Sequence, residues 1–169
     1  MRTNKVILIA GTRNTGKTDF SKEMMMNFGR SNFDKVLVVD TFDSDTWETM
    51  ETHAHPEWMN IDVPILAVEK FPQWKKGLAR MFSFDISGIM KTISTNARNT
   101  FIVFEDAKKY ITSRLSEDLE RFILDSKQKN LDLVFVFHAL MQIPPDLVRV
   151  ADVLVIFKTN ESSKVGEKY

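Results

Sequence analysis

At 169 residues, 43% hydrophobic and 27% charged, the chain suits one domain with a sizeable core and has the make-up of an ordinary soluble globular protein. Lysine plus arginine and aspartate plus glutamate balance at 23 each, so overall charge gives no argument for a polyanionic partner, and any contact with DNA needs a local patch. The absence of cysteine excludes a disulfide framework and a thiolate zinc site.

The first readable element is the apolar run Val6-Ile7-Leu8-Ile9-Ala10, which predicts a buried strand. It leads into Gly11-Thr12-Arg13-Asn14-Thr15-Gly16-Lys17-Thr18, a G-x-x-x-x-G-K-T sequence, and then a helix-like segment from Lys17 to Asn27. A strand, a glycine-rich loop and a helix N-terminus in that order are what a phosphate-binding loop needs. Its N–H groups wrap the anion, and the helix dipole adds a favourable field at the same point. Lys17 is the residue to reach the β- and γ-phosphates, and the Thr18 hydroxyl is a magnesium ligand. The nucleotide-binding set is therefore Gly11, Thr12, Arg13, Asn14, Thr15, Gly16, Lys17, Thr18 and the following Asp19.

Phe20, Met24 and Phe28 recur at helical spacing and predict the helix's apolar face, and Gly29 is placed to end it. Lys35–Asp40 reads as a short parallel strand, apolar on both faces. Residues 41–66 carry the weakest pattern. His53-x-His55, between Glu51 and Glu57, has the donor types of a metal site, although such a pair in a loop is ordinarily surface. Val63–Val68 resembles an edge strand, since Pro64 cannot donate to a ladder. Residues 41–99 are accordingly expected to form a peripheral, insertion-like region of a single domain spanning 1–169.

Asp85 is the expected cap of a helix running to about Asn96, with Ile86, Ile89, Met90 and Ile93 on one face. Phe101-Ile102-Val103-Phe104 predicts a buried strand that ends in the acidic pair Glu105-Asp106. A second amphipathic helix is expected from about Ser113 to Gln128, using Leu115, Leu119, Phe122 and Ile123. Leu133–His138 is another apolar strand with a polar end, Pro144-Pro145 starts a turn, and Val153–Phe157 is the last strand. No apolar run approaches the roughly 20 residues that span a bilayer. The first strand begins too early to leave room for a signal peptide, so a cytoplasmic location is expected.

Strands alternating with helices give an α/β fold with a mainly parallel central sheet flanked by helices. Ligands of such sheets bind at the carboxyl ends of strands, where Gly11–Thr18, Asp40, Glu105-Asp106 and His138 all fall. ATP hydrolysis needs a carboxylate near Mg²⁺ and a group that orients water; adjacent acids at a strand end supply both, because neighbouring side chains diverge. His138 is a candidate for contact with the γ-phosphate or the attacking water.

With these residues in place, the chain resembles the additional-strand ATPases of the P-loop class, and within them the FtsK–HerA-type DNA-pumping ATPases. That group includes virus genome-packaging ATPases and Zot-like phage assembly proteins. The likeness rests on residues 5–40 and 100–158: the Walker A loop, Val39-Asp40-Thr41-Phe42, the Walker B-like run Phe104-Glu105-Asp106-Ala107-Lys108-Lys109-Tyr110, and the closing strands with Pro144, Leu147, Arg149 and Ala151-Asp152. The resemblance implies a three-layer P-loop NTPase fold, the cofactors ATP and Mg²⁺, a homo-oligomer and a DNA partner. It puts Glu105 at magnesium and Asp106 at the water, the reverse of the usual Asp-Glu order. The family's arginine before the sensor strand stands here as Lys127, which cannot make a bidentate phosphate contact. Either hydrolysis is slow, or a neighbouring subunit supplies the charge, with Arg149 the first candidate and Arg121 the second.

A small nucleotide kinase is an alternative, with Asp40 as the metal-side acid, but it leaves Glu105-Asp106 without a role. A non-catalytic nucleotide-binding or assembly protein is another, favoured by the missing arginine. A GTPase is disfavoured, because Lys158-Thr159-Asn160 does not continue into a guanine-reading motif. The ATPase and kinase readings differ in one feature of topology. The first places Leu133–His138 beside the loop strand, and the second places Lys35–Asp40 there.

Overall fold

The computed structural model describes residues 4–111 and 114–160. Among them six strands form one sheet: β1 (Val6–Ala10), β2 (Lys35–Asp40), β3 (Gly77–Phe82), β4 (Thr100–Phe104), β5 (Leu131–Phe137) and β6 (Val153–Ile156). The order across the sheet is β3-β2-β4-β5-β1-β6 and every pairing is parallel. Val6 lies opposite Leu133, and Ile7 lies opposite both Val134 and Val153. The loop strand therefore has β5 and β6 as neighbours and does not touch β2.

Because both faces of a parallel sheet are covered, β1, β4 and β5 are apolar almost throughout and fully buried. Leu8, Leu37, Phe104 and Phe135 face α3 (Ile86–Asn96), α4 (Glu117–Leu124) and α5 (Pro145–Val150). Ile9, Val38, Val103 and Val136 face the other way, toward the segment that begins with α1 (Lys17–Met24) and toward Trp47 and Met50. This is a three-layer α/β fold.

Several elements differ from expectation. Gly29 does not end the first helix. The chain widens into one π-type turn over Met25–Gly29 and continues into α2 (Arg30–Asn32). A wider turn rotates the inward face, so Met25 is fully buried while Phe28 is 42% exposed, with its ring against those of Phe33 and Phe101. Glycine at 29 serves a close approach: a Cβ there would lie 3.2 Å from the Phe101 ring.

The edge strand is β3, not Val63–Val68. The earlier segment makes one isolated bridge from Ile65 to Arg80, in which the Pro64 carbonyl accepts from Arg80 N at 2.9 Å. Residues 41–99, expected at the periphery, supply this edge strand and also Trp47, Met50, Phe71, Ile89 and Ile93 to the core.

The helix expected from Ser113 to Gln128 is shorter. Ser116 caps α4 by accepting from Leu119 N at 3.3 Å, and turns replace the helix after Leu124; Ser113 lies outside the described residues. Pro145 begins α5 instead of merely turning the chain, as proline can at a first helical position.

Candidate functional site

β1 delivers the chain into the loop at Gly11, whose N–H donates to the Phe137 carbonyl on β5. A Cβ at Gly11 would come within 2.6 Å of Phe157, so the close packing of the loop on the chain after β6 requires glycine. Thr12 anchors the same side, its N–H and hydroxyl both donating to the Lys158 carbonyl. Asn14 and Gly16 have positive φ of 58° and 89°, and Gly16 stands immediately before α1. The Lys17 ammonium crosses the loop to the Thr12 carbonyl at 2.6 Å. Its side chain is buried, and that burial lowers its pKa while the charge of Glu105 opposes the shift.

A cleft of about 370 Å³ opens at the strand ends and is lined by Thr18, Asp40, Glu105, Asp106, Lys109 and His138, among others. β5 separates the loop strand from the acid strand, which is the geometry that lets Glu105 face Lys17 across the cleft. Glu105 Oε2 is buried with no hydrogen-bond partner among the described residues. Burial, with Asp40 adding to it and Lys17 opposing it, pushes the Glu105 carboxyl up to about 7. Asp40 is raised as well, mainly by burial, although Thr41 N donates to its Oδ1 at 2.6 Å.

Asp106 has a left-handed backbone, φ 47°, which turns its carboxylate into the cleft's wall. Its Oδ2 pairs with Lys109 Nζ at 2.8 Å and its Oδ1 lies 3.8 Å from His138 Nε2. His138 is fixed through its backbone N–H, which donates to Gln142 Oε1 at 3.1 Å, and its buried Nδ1 has no partner among the described residues. Burial lowers the His138 pKa against the pull of Asp106, with Lys17 and Arg13 also lowering it.

Thr18, Glu105, Asp106 and His138, named from sequence, thus share one cleft, with Lys17 beside it. Arg149 does not reach it. Its side chain is 78% exposed and pairs with Asp146 at 3.2 Å. The Asp19 carboxylate is held by His53, at 2.5 Å from Nδ1 and 3.1 Å from the backbone nitrogen. His55 pairs with Glu57 and stacks on Trp58, so His53 and His55 have separate partners. Arg121 borders a different cavity, between α3 and α4.

Sequence reasoning gives Asp40 a metal role only in the kinase reading, and places Lys109 in the run that resembles the family's strand-Asp-Glu-Ala-x-Arg segment without assigning it a role. The one usable signal was its position four residues beyond Glu105, within a short turn that folds back over the strand end.

The donor set fits magnesium held chiefly by a nucleotide. Thr18, Asp40 and Glu105 converge on one cleft, and an orphaned carboxylate oxygen there has raised basicity, which a divalent cation relieves. Among the described residues no group of three or more His, Asp or Glu is arranged to hold a metal by itself. No described helix is long and apolar enough to cross a membrane.

No protein-family model matches the chain and no curated protein matches it in sequence. Solved structures do match. The genome packaging NTPase B204 from Sulfolobus turreted icosahedral virus 2, in complex with AMPPCP, superposes with a TM-score of 0.73 at 12% identity, over 100% of this chain and 83% of that one. The N-terminal domain of zonular occludens toxin from Neisseria meningitidis gives 0.58 at 12% identity, over 94% and 79%. The flagellar accessory protein FlaH from Methanocaldococcus jannaschii gives 0.53 at 14% identity, over 90% and 70%. With the loop, the strand order and these neighbours together, the chain has the P-loop NTPase fold, with a strand standing between the phosphate loop and the acidic pair.

Proposed function

We propose that the protein is a Mg²⁺-dependent ATPase, and that it serves as a subunit of a DNA-translocating or packaging motor. One observation carries the ATPase reading: β5 stands between β1 and β4, so that the phosphate loop and Glu105-Asp106 flank a single cleft. The kinase alternative needs β2 beside β1 and has no support from this order. The DNA part rests on the likeness to a genome packaging NTPase.

In this reading the loop N–H groups and the α1 dipole bind the phosphates, and the Lys17 ammonium exchanges the Thr12 carbonyl for phosphate oxygens. Magnesium, with Thr18 and Glu105 as its protein partners, supplies neutralisation of charge on the transferring phosphoryl group. Asp106 accepts a hydrogen bond from the attacking water and aligns it for in-line attack. His138, kept neutral by burial, touches the water or the γ-phosphate without adding charge. Arg149 acts on a neighbouring subunit's cleft, since it does not reach its own.

The test separates binding from turnover. Lys17→Ala should weaken Mg-ATP binding by about 100-fold or more, because the phosphates lose a charge-assisted donor. Asp106→Asn should leave affinity within about twofold and lower turnover by roughly 10²–10⁴, the usual yield of a positioned base. Unchanged affinity in folded Lys17→Ala sinks the nucleotide site; wild-type binding without turnover, with DNA present, assigns the chain to non-catalytic assembly proteins.

A further inference from the structure

We propose that Lys109 is a positioning residue for Asp106, locking one carboxylate oxygen so that the other is presented to the attacking water. The inference rests on the ATPase reading above and extends it to a residue with no assigned role. Lys109 is gripped from three sides: Asp106 Oδ2 at 2.8 Å, Thr41 Oγ1 at 2.7 Å, and the face of the Phe42 ring with its centroid 4.2 Å away. Thr41 and Phe42 belong to the turn after β2, so the ammonium ties that turn to the one following β4. Phe42 is braced in turn by Phe84, edge to face at 5.5 Å.

An exposed lysine–carboxylate pair is ordinarily worth little, since both side chains lose freedom to make it. Here the arrangement is different in kind. The lysine is also held by groups other than the acid it pairs with, Thr41 and Phe42, so the ion pair alone does not fix its position. Asp106 also needs such help. It is one methylene shorter than glutamate and projects from a left-handed residue, so its carboxylate has little reach to spare. With Oδ2 fixed, Oδ1 faces His138 across the cleft, where the two can share a water.

Misplacing a reacting group by about 1 Å can cost 10²-fold in rate, so Lys109→Met should lower kcat by roughly 10- to 100-fold with KM and ATP affinity within about twofold. Lys109→Arg should recover most of the rate, because a cation is restored between the same partners. The decisive comparison is Lys109→Met placed in Asp106→Asn, with residual hydrolysis followed in single turnover over hours. A residue acting through Asp106 changes nothing further there. Thr41→Val, which removes only the hydroxyl that holds the ammonium, gives a second route should Lys109→Met fold poorly, and should lower kcat several-fold.

An equal loss in both backgrounds, a loss carried by KM, or no rescue by arginine overturns the proposal while leaving the ATPase reading intact. Wild-type turnover unaffected by Lys109→Met also overturns it alone. Absence of wild-type turnover, with or without duplex DNA, overturns both.

Discussion

Glu105 carries an electrostatic cost that can be measured without any nucleotide. Its carboxyl titrates near 7 in the fold against 4.5 as the ordinary value, because burial and Asp40 disfavour its charge. Between those values the folded state binds more protons than the unfolded one, so stability falls as pH rises from about 4.5 to about 7 and is flat above that. Glu105→Gln should therefore stabilise the nucleotide-free protein at pH 8 by at most about 3 kcal/mol and do little near pH 4.5, read by urea unfolding at several pH values. A gain that is independent of pH would remove the electrostatic account. The acids at strand ends were legible because each closes an apolar run. The Asp19–His53 pairing and the hold of Thr41 and Phe42 on Lys109 were not, because they join residues far apart in sequence.

At the scale of elements, legibility follows how strongly the chain's local signals agree. α3 was readable in full: Asp85 Oδ1 accepts from Gly88 N at 2.9 Å, and Ile89 and Ile93 are buried at helical spacing. Removing that cap with Asp85→Ala should cost about 1 kcal/mol, measured as a shift in the urea midpoint with unchanged m-value. Loss of activity without loss of stability would point instead to Phe84 and the Lys109 assembly beside it.

β3 escaped notice because Gly77-Leu78-Ala79-Arg80-Met81-Phe82 mixes a glycine, a small residue and a charge into what an edge strand must be. Arg80 Nη1 is nonetheless paired, at 2.6 Å from Asp43 and 3.2 Å from the Ser44 carbonyl, where it pins the turn that leads to Trp47, while its buried Nε has no partner among the described residues. Val63–Val68 has the stronger apolar pattern and is not the edge strand. The tertiary position of β3 beside β2 decided the matter, and sequence pattern does not report it.

For the molecule as a whole, zero net charge leaves assembly to local surfaces. β6 is an edge strand with Val153 and Ile156 exposed, and Arg149 projects from α5 just ahead of it. If that edge meets the cleft of another copy, turnover per subunit should rise with protein concentration. Mixing Arg149→Ala with Asp106→Asn subunits should then restore part of the lost rate, since one interface regains both groups; such an arginine is worth about 10³–10⁵ in GTPases. Concentration-independent turnover by a protein that stays monomeric on DNA rules the arrangement out.

The strand order also governs how the molecule comes into being. The phosphate loop is translated well before β5 and β6, yet its strand is bonded on both sides by those two strands, and Val6 N–H finds Asp152, 146 residues later. At roughly 5–20 residues per second a nascent chain carries an unpaired Val-Ile-Leu-Ile-Ala segment for on the order of ten seconds. A nucleotide held by this loop cannot template the fold early on the ribosome; it can only clasp a chain in which β5 and β6 have already been made. A chain stalled at residue 130 should bind no ATP and remain open to chaperones and protease.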